Sequence, residues 1–505
     1  MTEVTTYMLM YSLPEKAGGI TSVMLNRAKI LAENNFSCKL LTLDDKNYDD
    51  LRKKLKDTGR LHKSVEIINI YEELEIFNDV NDKEVDQKNK QLFEKLNELN
   101  QEGFYIQKDQ YDTSNYARYF QNNDYVMYKK WNDNKLSHID YFQNRKRIKR
   151  HIFQNEVLRK EIVFNENNKT NEIKYFSNDG FCYLSYWYGK DDKVINIFYF
   201  NKTSKEVLNF KNNKQFHSYW LDQYLTVKDT LILDGIGTYP KVENMKNSDV
   251  KKIFTIHTNH FEAPYEYGAD IKPEFKRMLS NISELDTLVV LTEEQKSDII
   301  KQFGDYNNIK VIPNSVYFDE DLKVSTNNEN SIVILQRFVE MKNIEHVIQA
   351  VKIVKKKIKD VSLNIYGIGP QKQEYIKLIK ELELQDHVFV NDYVFNLREV
   401  YANASLSVLT SEYEGLSMSV IEAMSYGVPV IAYPVNYGPE SIIRNNIDGI
   451  ITKNKNDINE LAEQIIYLLK KDKIRTKFSE NARENVEENF SYQALFEKWN
   501  GIIKK

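Results

Sequence analysis

The 505-residue sequence contains only two cysteines, Cys38 and Cys182, and has no long uninterrupted run of apolar residues. Two thiols cannot form a disulfide framework, so we expect a protein of a reducing compartment. No run approaches the ~20 apolar residues that a bilayer-spanning helix needs. The first residues also lack the basic and then apolar order of a signal peptide. Together these absences predict a cytoplasmic protein.

The sequence also lacks an excess of charge of one sign, since 70 lysines and arginines stand against 74 aspartates and glutamates. A net charge of −4 gives no general attraction to nucleic acid or to an anionic membrane. The basic run Arg145–Arg150 is a local exception. We interpret it as a solvated face, which is the usual case, or as a contact for a polyanionic ligand. No nucleic-acid-binding motif accompanies it, and we expect no nucleic-acid partner.

The length suggests about three domains at ~150 residues each. Apolar strands alternate with amphipathic helices at 1–58 and again at 213–316, and we assign both stretches to one Rossmann-like domain. A second such series at 317–487 predicts a C-terminal α/β domain, and 488–505 predicts a helix that packs back on the first domain. Between them, 59–212 is charged at first and then rich in aromatic, alternating strands. This texture predicts an inserted antiparallel β-sheet domain.

The most informative stretch runs from Glu414 to Val430, where a short buried strand gives way to a helix. Gly415 lets the backbone approach a ligand closely. The first amides of a helix that begins near Ser417 lack intrahelical partners and would suit a diphosphate. Glu414 precedes the helix and could reach a sugar hydroxyl, whereas Glu422 could accept two hydrogen bonds from a ribose. Two surface glutamates are the alternative, but the glycine and the Gly-Val-Pro-Val ending favour a binding site.

Three other loops follow strands and carry residues suited to a phosphorylated ligand. Gly18 and Gly19 lie after the first strand, where they could approach a phosphate or sugar, although an ordinary βα turn is the alternative. Arg337 and Lys342 flank the loop after the first C-terminal strand, and two cations at that spacing can clamp a diphosphate. Gly367 begins a Gly-Ile-Gly-Pro turn that would place backbone near a nucleotide.

His257 ends an apolar strand, and Asn259 and His260 follow it. Histidines three residues apart can bind a metal, but no cysteine or acidic residue completes a convincing set of ligands. The acidic triplet Asp319–Asp321 falls in the predicted interdomain linker, so we predict no metal. A strand end suits a substrate contact in an open α/β sheet, and a purely structural histidine is the alternative.

The glycine loop, the cationic pair, the tight turn and the paired glutamates occur in the order found in family 4 of the retaining glycosyltransferases, which this sequence resembles. The resemblance implies a GT-B fold, in which two Rossmann-like domains face each other. Within that family the sequence looks most like the wall teichoic acid α-glycosyltransferases, which carry a similar inserted sheet. The details shared with them are Gly18-Gly19-Ile20-Thr21-Ser22, Asn26-Arg27, Asp234-Gly235 and His257-x-Asn259-His260.

The resemblance implies transfer of glucose or N-acetylglucosamine from a UDP-sugar to a polyol-phosphate hydroxyl, with an α-glycosidic product, retained configuration and no metal or other cofactor. It also implies that the inserted sheet binds the acceptor and builds a homo-oligomer, with a trimer as the assembly carried over. The site residues it assigns are Glu414 and His257 at the sugar, Glu422 at the ribose, Arg337 and Lys342 at the diphosphate, and Gly18, Gly19, Gly367, Gly415, Leu416 and Ser417 as backbone contacts.

Several alternatives stay open at this point. The same chemistry could act on a serine-rich surface protein, or the chain could be a non-catalytic partner that uses this fold as a chaperone. The intact glutamates and cations argue against the chaperone. A nucleotide-sugar epimerase would need no large insertion. The sequence does not choose between the two donor sugars or between glycerol and ribitol phosphate, and it leaves peripheral contact with the inner face of the membrane open.

Overall fold

The computed structural model describes residues 4–14, 19–79, 82–108, 115–322, 330–394 and 396–504. Two parallel sheets, each covered by helices, form two α/β domains, and an antiparallel sheet is inserted into the first of them. Within these ranges no helix combines the length and the apolar character that a bilayer crossing demands.

The first domain opens with alternating strands and helices because its strands are nearly continuous apolar runs, which parallel sheets bury on both faces. The elements are β1 (Thr5–Met10), α1 (Ile20–Glu33), β2 (Ser37–Thr42), α2 (Asp49–Asp57), β3 (Glu66–Asn69) and α3 (Ile70–Asn78). β3 pairs in parallel with β2, so this domain continues past the predicted limit at residue 58. The limit was wrong because a four-residue strand followed at once by a helix offers too short a pattern to recognise.

The insertion therefore begins with a helix at Lys83 and not at residue 59. Its elements are α4 (Lys83–Asn97), β4 (Tyr105–Gln107), β5 (Tyr116–Gln121), β6 (Asp124–Asn132), β7 (Lys135–Gln143), β8 (Lys146–Gln154), β9 (Val157–Phe164), β10 (Thr170–Phe176), β11 (Cys182–Tyr188), β12 (Val194–Phe200) and β13 (Val207–Phe210). Each strand pairs antiparallel with the next in chain order, which makes one long meander. The β10–β13 end packs on the first domain, where the hydroxyls of Tyr71 and Tyr186 lie 2.9 Å apart.

After the insertion the chain completes the first sheet. The elements are α5 (Asn213–Tyr224), β14 (Thr230–Asp234), α6 (Tyr239–Val242), β15 (Lys251–Thr255), α7 (Pro273–Ser280), β16 (Thr287–Val290), α8 (Glu293–Phe303) and β17 (Ile309–Val311). The strand order is β17-β16-β15-β14-β1-β2-β3, all parallel. This order brings the carboxyl ends of β1, β14 and β15 together at one edge of the sheet.

The second domain repeats the arrangement with strand order β20-β19-β18-β21-β22-β23. Its elements are β18 (Ser331–Leu335), α9 (Ile344–Val354), β19 (Ser362–Tyr366), α10 (Lys372–Glu381), β20 (Val388–Asn391), α11 (Leu397–Tyr401), β21 (Leu406–Leu409), α12 (Met418–Ser425), β22 (Val430–Ala432), α13 (Pro439–Ile442), β23 (Gly449–Ile451), α14 (Ile458–Lys470) and α15 (Asp472–Phe490). α15 runs through the predicted limit at 487, because no breaking residue interrupts it there. The last helix, α16 (Tyr492–Ile503), packs on the first domain, where the Trp499 ring lies 4.1 Å from the Arg27 guanidinium.

Candidate active site

A buried ion pair lies where the loops after β18 and β21 meet. The Lys342 ammonium donates to Oε1 of Glu414 at 2.6 Å, and the Ser411 hydroxyl donates to the same oxygen at 2.7 Å. The two charged side chains are only 12% and 11% exposed. Lys342 therefore fixes the carboxylate, and in the described chain no side chain bonds to its second oxygen, which is left for a ligand.

Gly415, the residue after this carboxylate, lies against the backbone of the other domain. A Cβ placed there would be 2.2 Å from the carbonyl oxygen of His257. No side chain can be accommodated at that distance, so glycine is required by the close approach of the two domains. Glu414 thus lies beside the contact between the domains and not on an open surface.

The helix that follows presents its N-terminal amides at the same place. α12 starts at Met418 after Ser417, and no side chain caps it. The amides of Leu416 and Ser417 have no hydrogen-bond acceptor within the residues described. Unpaired amides at the positive end of a helix are suited to an anion such as a diphosphate.

His257 comes from the first domain and is held by a buried carboxylate. Its Nε2 lies 2.7 Å from Oδ1 of Asp234, while Arg27 donates to Oδ2 at 2.7 Å. Burial would raise the pKa of Asp234, but the charge of Arg27 and the hydrogen bond from His257 outweigh it and hold that pKa to about 2. Since an ionised carboxylate only accepts, Nε2 carries the proton. In the neutral ring Nδ1 is then an acceptor, and it has no partner among the residues described.

Comparisons with known proteins identify the family of the chain. The glycosyl transferases group 1 profile matches residues 318–485. The poly(ribitol-phosphate) α-N-acetylglucosaminyltransferase of Staphylococcus aureus is 31% identical over 499 residues, which are 98% of each chain. The chain belongs to the group 1 glycosyltransferases. It is therefore a transferase. The poly(glycerol-phosphate) α-glucosyltransferase of Bacillus subtilis is 25% identical over 526 residues, covering 98% of this glycosyltransferase and 74% of that one.

A solved structure resembles the whole glycosyltransferase. A point mutant of S. aureus TarM, in complex with Fondaparinux, α-GlcNAc-glycerol and UDP, matches with a TM-score of 0.87 at 28% identity, over 99% of this chain and 100% of that one. The predicted GT-B fold with an inserted antiparallel sheet is thereby confirmed. The family 4 label, the homo-oligomer, the cytoplasmic location and the absence of a metal or other cofactor stay predictions.

The glycosyltransferase has two glycine loops, one after β1 and one after β19, and glycine is required in each for a different reason. Gly18 lies outside the described residues. Gly19 has φ +61° and ψ −131°, with open space where a Cβ would be, so the backbone conformation alone requires glycine there. At Gly367 a Cβ would lie 1.9 Å from the carbonyl oxygen of Gln336, on the loop that carries Arg337. Gly367 therefore has a packing role between two loops that is independent of any ligand.

Arg337 and Glu422 are the two remaining predicted site residues of the glycosyltransferase. The Arg337 side chain is exposed, with no ion pair to any residue the structure describes, so it is available to a ligand. Glu422 lies on α12, half-buried, and burial raises its pKa to about 7. No hydrogen bond to its carboxylate is found within the described ranges. The carboxyl group is thus about half protonated at neutral pH before a ligand arrives.

The basic run Arg145–Arg150 of the glycosyltransferase is largely paired within the inserted sheet. Arg150 donates to both oxygens of Asp140, at 2.6 and 2.7 Å, and Arg147 lies 3.5 Å from the same carboxylate. Lys149 lies 3.5 Å from Glu161. Arg147 and Arg150 share the face of Asp140, whereas Lys149 lies on the opposite face near Glu161, so the charges of the run are divided between two faces of the sheet.

Sequence reasoning recognised Arg27 and Asp234 as family-like residues but gave them no role in the site. Their partnership is not visible in the sequence because Arg27 and Asp234 are 207 residues apart. The usable signal was their placement: an acidic residue at a strand end, one strand from a histidine at the next strand end.

Proposed function

We propose that the protein is a retaining glycosyltransferase that moves N-acetylglucosamine or glucose from a UDP-sugar to a hydroxyl of a polyol-phosphate wall teichoic acid. The observation that carries the proposal is the Lys342–Glu414 pair, which lies beside the free amides of α12 and opposite the buried His257. The full-length relatives from S. aureus and B. subtilis support the donor and acceptor classes. N-acetylglucosamine is the first donor to test, since its relative has the higher identity.

In the proposed reaction the acceptor hydroxyl attacks the anomeric carbon on the face that the nucleotide leaves, and a leaving phosphate oxygen takes the hydroxyl proton. Arg337, Lys342 and the α12 amides stabilise the charge that develops on the diphosphate. The free oxygen of Glu414 and Nδ1 of His257 accept hydrogen bonds from sugar hydroxyls. Fixed donors supply all the charge stabilisation in this scheme, so the proposal includes no metal.

The experiment that tests the proposal compares two donors with three acceptors. Radiolabelled UDP-N-acetylglucosamine and UDP-glucose are each incubated with poly(ribitol phosphate), poly(glycerol phosphate) and a serine-rich peptide. We expect label on a polymer, and an α-anomeric proton in the product by NMR. Label on the peptide alone would mean that the acceptor is a serine-rich protein and not a polyol-phosphate polymer. No transfer and no donor hydrolysis would favour a non-catalytic partner, and conversion of donor without acceptor would favour an epimerase.

Donor affinity is expected to rise with pH because of Glu422. Only the ionised carboxylate can accept from both ribose hydroxyls, and its pKa of about 7 leaves it mostly protonated at pH 6. Between pH 6 and pH 8 the ionised fraction rises about tenfold, so the Kd of the UDP-sugar should fall by a similar factor. Calorimetry in two buffers of different ionisation enthalpy should show release of a proton on binding. Glu422→Gln should weaken binding and flatten the profile; an equal slope in that variant would contradict the role.

A further inference from the structure

The position of Glu414 depends on a second chain segment, Asn436–Tyr437, which follows β22. The Glu414 amide donates to the Asn436 carbonyl at 3.1 Å, and the Tyr437 amide donates to the Glu414 carbonyl at 2.8 Å. Paired bonds in both directions fix the backbone of Glu414 relative to this segment. The carboxylate that faces the sugar therefore moves if the segment moves.

The same segment is held by side chains of the other domain. The Tyr437 hydroxyl donates to Oδ2 of Asp298 on α8 at 2.9 Å. The Asn259 side-chain amide donates to the Asn436 carbonyl at 3.1 Å, and the His260 ring lies parallel to the Tyr437 ring, with centroids 6.0 Å apart. Tyr437, Asn259 and His260 are fully buried, and Asp298 is 5% exposed. The first domain thus fixes the segment to which the backbone of Glu414 is hydrogen-bonded.

The Tyr437–Asp298 hydrogen bond is expected to be strong. The acceptor is a carboxylate that also lies 3.2 Å from the Lys301 ammonium, and hydrogen bonds to charged groups are stronger than neutral ones. Burial and the nearby Asp298 charge raise the pKa of Tyr437 far above its usual value, so the phenol stays a donor at working pH. The bond joins the two domains without touching either the α12 amides or Lys342.

We infer that Tyr437 is a positioning residue, whose bond to Asp298 aligns the Glu414–Lys342 pair with His257 when the two domains are in contact. The inference rests on the proposed function, since it takes Glu414 to be the sugar-binding carboxylate. The contact between the domains then has a specific role: Glu414 and His257 are aligned around the sugar only while the Tyr437–Asp298 bond is formed. Donor binding through α12 does not need this bond, whereas turnover does.

Tyr437→Phe tests the inference because it removes one hydroxyl and keeps the ring that lies parallel to His260. With UDP-N-acetylglucosamine and poly(ribitol phosphate) we expect kcat to fall about ten- to a hundredfold. The Kd of UDP should change by less than about twofold, since the residues proposed to hold its ribose and diphosphate, namely Glu422, Lys342 and the α12 amides, all lie in the second domain. The matched control is Tyr433→Phe. Tyr433 is equally buried, and its hydroxyl lies 3.3 Å from Nδ1 of His346 within the second domain. It should keep kcat.

Substitutions at Asp298 separate positioning from a merely structural role, and they serve if Tyr437→Phe does not fold. Asp298→Asn keeps an acceptor oxygen for the phenol and should retain most of kcat, whereas Asp298→Ala should lose it as Tyr437→Phe does. If Tyr437→Phe and Tyr433→Phe lower the melting temperature equally and leave kcat unchanged, the inference is overturned. Equal kcat in the two Asp298 variants overturns it as well.

The proposed function and the inference fail in different ways in this design. No transfer by the wild-type protein, or full transfer by Glu414→Gln, would remove the proposed function. Transfer by the wild type that is abolished in Glu414→Gln but intact in Tyr437→Phe would leave the proposed function standing and remove the role of Tyr437.

Discussion

Replacing Glu414 by glutamine is expected to lower turnover by about 10²- to 10³-fold. The amide keeps the shape of the side chain and an oxygen that can accept from Lys342 and Ser411. The free energy of unfolding should therefore change far less than the activation free energy of the reaction. What disappears is the negative charge beside the sugar, where positive charge develops as the donor bond breaks. Lys342→Ala should have a comparable effect because the leaving diphosphate loses a cation. Initial rates at saturating UDP-sugar, with melting temperatures, measure both quantities.

The control for this prediction is Glu412→Gln in the same loop. Glu412 accepts from the Asn343 side chain at 2.7 Å and forms no bond to Lys342 in the described structure. A general disturbance of the loop would lower turnover in both variants, whereas a specific role requires that only Glu414→Gln is impaired. Near-normal transfer by Glu414→Gln or by Lys342→Ala would show that the site assignment is wrong.

The paired glutamates and the cations could be found from the sequence because each of them follows a strong local pattern. A short apolar strand, a glycine and a helix ending in Gly-Val-Pro-Val identify the segment around Glu414 without any tertiary information. Helix boundaries were equally readable where caps are local. An aspartate directly before an amphipathic helix is such a signal, and the Asp457 side chain accepts from the Glu460 amide at the start of α14.

The hairpin turns of the inserted sheet recur at a fixed interval in the sequence. Asparagine-rich two-residue turns begin at residues 122, 133, 144 and 155, each eleven residues after the last, and both residues of every turn have positive φ. This is the pattern of type I′ hairpins. The repeat predicts a meander with fixed register. A regular hairpin with its turn at 144 and 145 would put Asp140 opposite Lys149. The register shifts by one residue between Tyr141 and Phe142, so the pairing of Asp140 with Arg150 needed the structure.

The buried hydrogen-bond chain Arg27–Asp234–His257 could not be predicted, because it depends on strand order. β14 lies between β1 and β15, and this places Asp234 between residues from distant parts of the chain. Arg27 reaches it from α1, and Trp499 lies over Arg27 from the last helix. A hydrogen-bond chain of this kind orients the imidazole of His257 and selects its tautomer. The site thus combines residues of the second domain that local sequence patterns identify with a histidine of the first domain whose partners are set by the strand order.

Because the site residues come from both domains, the mechanism depends on the contact between the domains. Gly415 is tightly constrained within that contact. A methyl group at residue 415 would lie 2.2 Å from the oxygen and 2.5 Å from the carbon of the His257 carbonyl. Backbone atoms cannot move aside by changing rotamer, so Gly415→Ala must push the domains apart. Since a misplacement of about 1 Å can cost about a hundredfold in rate, we expect at least that loss of turnover. UDP affinity should persist, because Gly415→Ala keeps the amides of α12.

Small-angle scattering and calorimetry distinguish this steric effect from misfolding. Gly415→Ala should have a larger radius of gyration than the wild type in the presence of UDP, with UDP binding intact. The control is Gly501→Ala on α16, where a Cβ meets nothing within 4 Å. That variant should keep full turnover and gain about 0.5–1 kcal/mol of stability, as alanine is favoured over glycine within a helix. Wild-type turnover and dimensions in Gly415→Ala would mean that the contact between Gly415 and His257 is not part of the active arrangement.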